Sequence, residues 1–340
     1  MRLHMKQLDP QEFLSLGEKL PIIDVRSPVE YEQGRLPNAL NMPLLSDEER
    51  VIVGTLYKQD SPQAAFKRGL DFIGPKMSGF IEFAEGLQSQ ELLVHCWRGG
   101  NRSHSVAMLL ETNGFNVSIL NGGYKAYRRE ALEFFDQPLP LMVLTGYTGS
   151  LKTEVLYALQ ELGEQMVDFE GLACHQGSAF GRQESEEQPT SEQFQNLLFQ
   201  EFRKLDLTRL IWVEDESMRI GRVDLVAELY HQKEQSPHVF LEVARPVRVK
   251  NLVLNYRHVS LERLVLATKS IQKKLGKKEA RQALEFIDHG DAHEAAAIIL
   301  KYYDKRYGKS IEGKRDHIRL HLETQSSDPM HIAEEILSKM

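Results

Sequence analysis

Two cysteines in 340 residues, Cys96 and Cys174, are too few for a disulfide framework and suit a reducing compartment, where a thiol is free for chemistry. No apolar run approaches the roughly 18 residues that cross a bilayer, so no membrane span is expected. The opening stretch MRLHMKQLDPQEFLSL has no apolar signal core or small-residue cleavage site, which makes the cytoplasm the expected location. Positive charge is also short: 42 Lys and Arg face 49 Asp and Glu, a net charge of -7 that argues against general attraction to nucleic acid. Internal repeats and low-complexity tracts are absent. What remains, 41% apolar and 27% charged, is the composition of an ordinary globular protein. Its length exceeds the roughly 250 to 300 residues at which single cores stop growing, so two domains are expected.

Short apolar runs such as LPIIDV, ELLVHC and NVSIL alternate with helix-like segments, the pattern of an α/β domain with a parallel sheet. Pro138 and Pro140 break a helix near Phe135 and place a boundary before the next strand. The alternation then repeats in LMVLTG, EQMVDF, RLIWVE and PHVFLEV. After Pro246 the strand pattern stops and the rest reads as helical. The expected organisation is thus a parallel-sheet α/β domain at 1–137, a second α/β domain at 138–246 and a helical, basic region at 247–340.

Chemistry concentrates first in VHCWRGGNRSHSVAM, where Cys96 joins a strand to a helix closed by Gly114. Backbone N–H groups of such a turn converge at the positive end of a helix, a setting that binds anions and activates a thiol. Arg98 and Arg102 add fixed charge, Gly99 and Gly100 permit the turn, and Trp97 and Asn101 complete the loop, so the expected ligand is a tetrahedral oxyanion. The spacing from His95 and Cys96 to Arg102 and Ser103 also resembles that of cysteine-dependent phosphatases, and a lone cysteine is ordinarily just a buried small hydrophobe.

The second concentration is LTGYTGSLKTEVL, a strand followed by a phosphate-loop pattern with Gly146, Thr148, Gly149, Ser150, Lys152 and Thr153 in place. Leu151 stands where such loops carry glycine, so a left-handed backbone there would be strained. Asp168 and Glu170, and the run Glu214, Asp215 and Glu216, follow later strands and can hold Mg2+. The expected metal set is Thr153 with Asp215, although the sequence does not decide among the acids. His175, Gly177 and Ser178 follow a strand end and join Asp168, Glu170 and Asp215 as second-site candidates. Finally, eleven Lys and Arg between Arg245 and Arg281 oppose only Glu262 and Glu279. By itself that run fits either a solvated helix face or a polyanion surface.

PIIDVRSPVEYEQGRLPNALNMP and ILNGGYKAYR resemble the first and last motifs of a rhodanese domain, in which a loop cysteine carries sulfur or selenium. Taken with VDFEGLACHQGSAFGR, QPTSEQFQNLL, IWVEDESMRIGRV and YYDKRYG in order after CWRGGNRS, nearly the whole chain resembles the tRNA 2-selenouridine synthase family. The departures are Arg35 and Asn38 in the first motif, Leu151, and Gln176. The resemblance implies a rhodanese-like domain followed by a P-loop domain with a helical C-terminal extension. It further implies that wobble 2-thiouridine in tRNA is converted to 2-selenouridine through an S-geranyl intermediate, with geranyl diphosphate and selenophosphate as co-substrates and no tightly bound cofactor. Cys96 would handle selenium, through a selenosulfide adduct or by assisting its delivery, while the phosphate loop takes the diphosphate. Selenophosphate synthetase would supply the donor. Arg245, Arg248, Lys250, Arg257, Lys273, Lys274, Lys277 and Lys278 become the expected contacts to the anticodon arm, with Tyr256, Tyr302, Tyr303 and Tyr307 as stacking candidates. Asp24 and Arg26 read as structural. A cysteine phosphatase or sulfurtransferase with an accessory P-loop domain is the alternative. A P-loop NTPase or a non-catalytic tRNA-binding protein leaves one of the loops without a use.

Overall fold

The computed structural model describes residues 5–175, 187–255, 257 and 259–340. The chain divides into two compact units, Met1–Phe134 with Gln195–Gln200, and Phe135–Phe194 with Glu201–Met340. No helix among the described residues is long and apolar enough to cross a membrane.

The first unit runs β1 (Lys6–Leu8), α1 (Pro10–Leu16), β2 (Ile22–Asp24), α2 (Pro28–Gln33), β3 (Ala39–Asn41) and α3 (Asp47–Gln59). It continues through α4 (Pro62–Ile73), α5 (Met77–Gly86), β4 (Glu91–His95), α6 (Asn101–Thr112), β5 (Asn116–Leu120) and α7 (Gly123–Glu133). Its strands form one parallel sheet in the order β1-β5-β4-β2-β3. A capping side chain followed by proline opens several helices. Asp9 Oδ1 accepts from Glu12 N at 2.9 Å ahead of Pro10, and Ser61 Oγ from Ala64 N at 3.1 Å ahead of Pro62. The central strand β4 buries Leu92, Leu93, Val94 and His95 on both faces, as a helix-covered parallel strand must.

The second unit opens with β6 (Leu141–Gly146), α8 (Lys152–Glu161), β7 (Gln165–Val167), α9 (Phe169–Leu172), α10 (Ser191–Phe202) and β8 (Ile211–Glu214). A short hairpin, β9 (Arg219–Ile220) and β10 (Val223–Asp224), leads to α11 (Ala227–Gln235), β11 (His238–Val243) and α12 (Arg245–Asn255). Then come α13 (Leu261–Leu275), α14 (Lys277–Asp288), α15 (Ala292–Gly313), β12 (Ile318–Thr324) and α16 (Pro329–Lys339). The sheet is again parallel, ordered β12-β11-β6-β8-β7, with Trp212 of β8 fully enclosed. The α/β reading of both halves therefore holds, with one correction. Residues 247–340 are not wholly helical, because β12 pairs with β11 from His238↔Ile318 to Val243↔Thr324 and extends the sheet. Its sequence, IRLHLET, alternates apolar and polar because an edge strand is half exposed.

Candidate active site

In the first unit Cys96 leaves the end of β4, and α6 begins at Asn101. The loop between them is shaped by the first turn of α7. Tyr124 N donates to Cys96 O and Lys125 N to Trp97 O, both at 2.9 Å. A trans peptide sets its C=O and N–H on opposite sides, so these bonds turn the amides of Trp97 and Arg98 away from α7. Gly123 makes the approach possible: its φ is 61°, and a Cβ there would collide with Cys96 O and the amides of Arg98 and Gly99.

The thiol lies beneath the loop. Cys96 is 3% exposed, belongs to the apolar cluster with Val25, Val94 and Val106, and places Sγ 3.3 Å from Ser103 Oγ. Of the two arginines expected to hold an oxyanion, Arg98 is exposed and makes no hydrogen bond or ion pair among the described residues. Arg102 is already bound, its two terminal nitrogens on Glu30 Oε2 at 2.7 Å and Oε1 at 3.3 Å. Glu30 also takes Arg50 at 3.1 Å and the Ser27 amide at 3.1 Å. Burial raises the Glu30 carboxyl, but the Arg102 hydrogen bond and charge outweigh it and hold it below the ordinary glutamate range. A groove of about 860 Å³ borders the loop, with Arg50, Lys58, Trp97 and Arg102 among its walls. Gly99, Gly100 and Asn101 lie on the accessible rim of the loop.

Behind the loop, Asp24, Arg26 and His95 are fully buried. Arg26 Nη2 reaches Asp24 Oδ2 at 2.5 Å and Gly34 O at 2.7 Å, and its guanidinium lies 3.8 Å from the centre of the Tyr124 ring. Burial drives His95 down to about 4, so it is neutral at physiological pH. This cluster braces the sheet end and does not line the groove.

The second unit builds the phosphate loop as the sequence suggests, Leu151 included. Gly149 has φ 84°, and a Cβ there would lie 2.8 Å from Arg248 O. Leu151 adopts φ 59°, ψ 35°, the left-handed conformation in which a side chain is strained. Ser150 is fully buried and its Oγ has no partner among the described residues. Lys152 opens α8 with Nζ 3.5 Å from Gly146 O. Burial pushes its ammonium down, but Tyr307, Glu170, Glu216 and Glu214 push it further up, so the charge persists.

The acids divide in a way the sequence did not decide. Thr153 Oγ1 donates to Glu214 Oε1 at 2.6 Å and lies 3.4 Å from Glu170 Oε2, whereas Asp215, the expected metal partner, is elsewhere. Asp215 Oδ1 binds Lys233 at 3.0 Å and also Lys314, and Oδ2 accepts from Thr145 at 2.6 Å. Burial and then Glu170 push Glu214 well up, and the same two causes push Glu216 up to about 8. Crowded carboxylates that resist ionisation, beside a threonine hydroxyl, form an all-oxygen donor set that suits Mg2+. Asp168 caps α9 through Gly171 N at 2.7 Å and accepts from Tyr157 at 2.6 Å. His175 packs its ring against Gly221. Gly177 and Ser178 lie outside the described residues, as do Gln176 and Tyr256.

The basic stretch is only partly a surface. Lys273 and Lys274 end α13, Lys277 and Lys278 begin α14, and all four are exposed, as are Lys250 and Arg257. Arg248 corrects the expectation: it is 4% exposed, its Nη1 and Nη2 bind Asp304 at 2.7 and 3.1 Å, and Nη1 also donates to Thr148 O at 3.2 Å. A cation enclosed in this way braces the phosphate loop and is closed to a polyanion. Arg245 is half-buried with Nη2 on Ala297 O at 2.8 Å, and Tyr303 packs in a helical core with Ile271 and Ile299. Sequence reasoning missed Glu30, Lys233, Lys314 and Asn251, whose Nδ2 donates to Gly149 O at 3.0 Å. Only Glu30 carried a signal, three residues after a capping serine.

Two family models match the chain, a rhodanese-like domain at residues 9–130 and the AAA domain of tRNA 2-selenouridine synthase at residues 139–335. The chain is 33% identical to the tRNA 2-selenouridine synthase of Shewanella piezotolerans over 337 residues, 88% of this chain and 90% of that one. It is 36% identical to the enzyme of the same name from Nitrosomonas europaea over 247 residues, 69% of this chain and 63% of that one. A third, from Bdellovibrio bacteriovorus, is 34% identical over 269 residues, 75% of this chain and 69% of its own length.

Proposed function

The chain belongs to the tRNA 2-selenouridine synthase family, and on that premise we propose that it replaces the sulfur of wobble 2-thiouridine in tRNA with selenium by way of an S-geranyl intermediate. The observation that carries this reading is a pair of strand-to-helix anion loops in one chain, one over a cysteine and one over a lysine, threonine and carboxylate set. Each loop suits a different donor.

Geranyl diphosphate is assigned to the phosphate loop. The thiocarbonyl sulfur of the base attacks the allylic carbon, a C–S bond forms, and the C–O bond breaks to release diphosphate. Lys152 holds charge against the leaving group, and the buried Ser150 hydroxyl has its hydrogen to donate. Mg2+ held by Thr153, Glu214 and Glu170 would neutralise the diphosphate further.

Selenophosphate is assigned to the Cys96 loop, where the amides turned away from α7 and the exposed Arg98 would meet its oxygens. Its selenium adds at C2 of the base and geranylthiolate departs. Water then cleaves the P–Se bond to release phosphate. Cys96 assists from the floor of the loop. The exposed lysines of α13 and α14 give tRNA phosphates a landing surface that carries no sequence information. The test is to incubate the protein with thiolated tRNA, geranyl diphosphate and selenophosphate and weigh the digested nucleosides. Both S-geranyl and selenium nucleosides are expected. Cys96→Ser is expected to stop selenation while geranylation continues; loss of both in a folded variant refutes the division between the loops.

A further inference from the structure

Gln195–Gln200 follow the phosphate loop in sequence but fold with the first unit. Asn196, in this stretch of α10, is 1% exposed, and both polar atoms of its side-chain amide are bonded. Nδ2 donates to Tyr124 Oη at 2.9 Å and to Arg35 O at 3.2 Å, and Oδ1 accepts from Arg128 Nη1 at 2.8 Å. Arg128 Nη2 donates to Gln195 Oε1, also at 2.8 Å. Arg128 lies one helical turn beyond Tyr124, so the two project from one face of α7. Phe199 adds an apolar hold, its ring centre 5.8 Å from that of Tyr127 and 5.4 Å from that of Phe134. A buried amide this fully bonded fixes one arrangement of its neighbours, because any other leaves a polar atom unpaired.

Among those neighbours Tyr124 bears on the thiol. Its backbone N–H donates to Cys96 O at 2.9 Å, the bond that turns the Trp97 amide away from α7. Its fully buried ring lies 3.8 Å from the Arg26 guanidinium and 5.6 Å from the Trp97 ring. The turn before it can yield, since it runs through Gly122 and Gly123 at φ 71° and 61°, and glycine restrains a backbone least. A tether on the phenol therefore limits how far the first turn of α7 moves, and with it the loop over Cys96. We propose that Asn196 is a positioning residue for the Cys96 loop, acting through the Tyr124 hydroxyl. The proposal rests on the reading of that loop as the selenophosphate site and adds that a segment outside residues 1–137 completes it.

Full-length Asn196→Leu, Tyr124→Phe and the double variant test it, with folding checked by thermal melting. Tyr124→Phe keeps the ring and the backbone bond to Cys96 and loses only the hydroxyl. The first readout is the rate at which iodoacetamide alkylates Cys96, followed by peptide mass so that Cys174 does not contribute. Each single change is expected to speed alkylation about tenfold, the worth of roughly one buried hydrogen bond, because the thiol is 3% exposed beneath the loop. The double variant is expected to be no faster than the faster single. The second readout is KM for selenophosphate, expected to rise about tenfold while kcat/KM for geranylation keeps the parent value. Unchanged alkylation in folded Asn196→Leu overturns the proposal. So does a double variant faster by about a hundredfold, which would put the two side chains on separate routes. Equal selenophosphate KM across the set, in a parent that selenates, overturns it too. A parent that does not selenate refutes the proposed reaction alone, and alkylation still decides the positioning.

Discussion

Replacing Asp215 with asparagine separates a structural acid from a metal-binding one. Asp215 is 11% exposed and shares Lys233, itself fully enclosed, and Lys314 with Glu234. Burial raises its carboxyl, but Lys233 and Lys314 together lower it well below the ordinary aspartate range. Removing one partner of a buried pair costs roughly 3–5 kcal/mol, because the remaining charge is left without compensation. Glu234 stays beside both lysines, so the low end, about 3 kcal/mol, is expected. With a urea slope near 2 kcal/mol/M, the midpoint of the second unit falls by about 1.5 M. Trp212 lies in that unit and Trp97 in the first, so Trp212 fluorescence in a Trp97→Phe background reports the right transition. The pH dependence has a definite sign. A depressed acid contributes stability that is present above its unfolded value, 3.8, and is lost as pH falls below it toward the folded value. The parent should lose stability over that acid range and the variant should lack this component. An unchanged midpoint, with Mg2+ dependence of prenyl transfer abolished, would show that Asp215 binds metal and that the lysine clamp has been misread.

Glu216 predicts the opposite slope. Its folded value near 8 exceeds the ordinary 4.5, so the folded state keeps a proton that the unfolded state has lost, and stability declines as pH rises from 4.5 to 8. Glu216→Gln should lessen the decline of the melting temperature across that interval and raise it at its upper end, with Glu214 still contributing; an unchanged profile shows that Glu216 is ionised in the folded state. Leu151→Gly should stabilise the second unit by up to about 1 kcal/mol and Leu151→Val should destabilise it, since a β-branched residue tolerates the left-handed region worst. Equal melting temperatures for the two variants would show that Leu151 bears no strain. Alanine at Lys273, Lys274, Lys277 and Lys278 should weaken tRNA binding and reduce the slope of log affinity against log salt by up to about 4; an unaltered slope, measured by filter binding, removes this corner from the interface.

Legibility from sequence followed the range of the information. The cysteine and phosphate loops were readable as strand-to-helix turns because their glycines, cations and the cysteine lie within a few residues, where backbone geometry depends on neighbours. The run Glu214, Asp215 and Glu216 was not. Successive strand residues face opposite sides, but every residue from Ile211 to Glu214 is buried, so no alternation marks which acid meets Thr153. Arg248 misled for a related reason. Counting charge made it surface, yet it shares a buried helix face with Asn251 and Leu252, and its partner Asp304 is 56 residues away. The strand β12 did carry a local signal in its alternation, which a long helical context obscured.

The C-terminal segment thereby has a physical role that charge alone does not reveal. A phosphate loop works only if its carbonyls face away from the anion, and each carbonyl turned away needs a donor. In the second unit α12 supplies both donors, Arg248 to Thr148 O and Asn251 to Gly149 O. Because the peptide is planar, fixing Thr148 O also fixes the Gly149 amide on the opposite side. Asp304 of α15 holds Arg248 in place. Residues of the helical region therefore set the polarity of the phosphate loop as well as presenting the exposed lysines of α13 and α14.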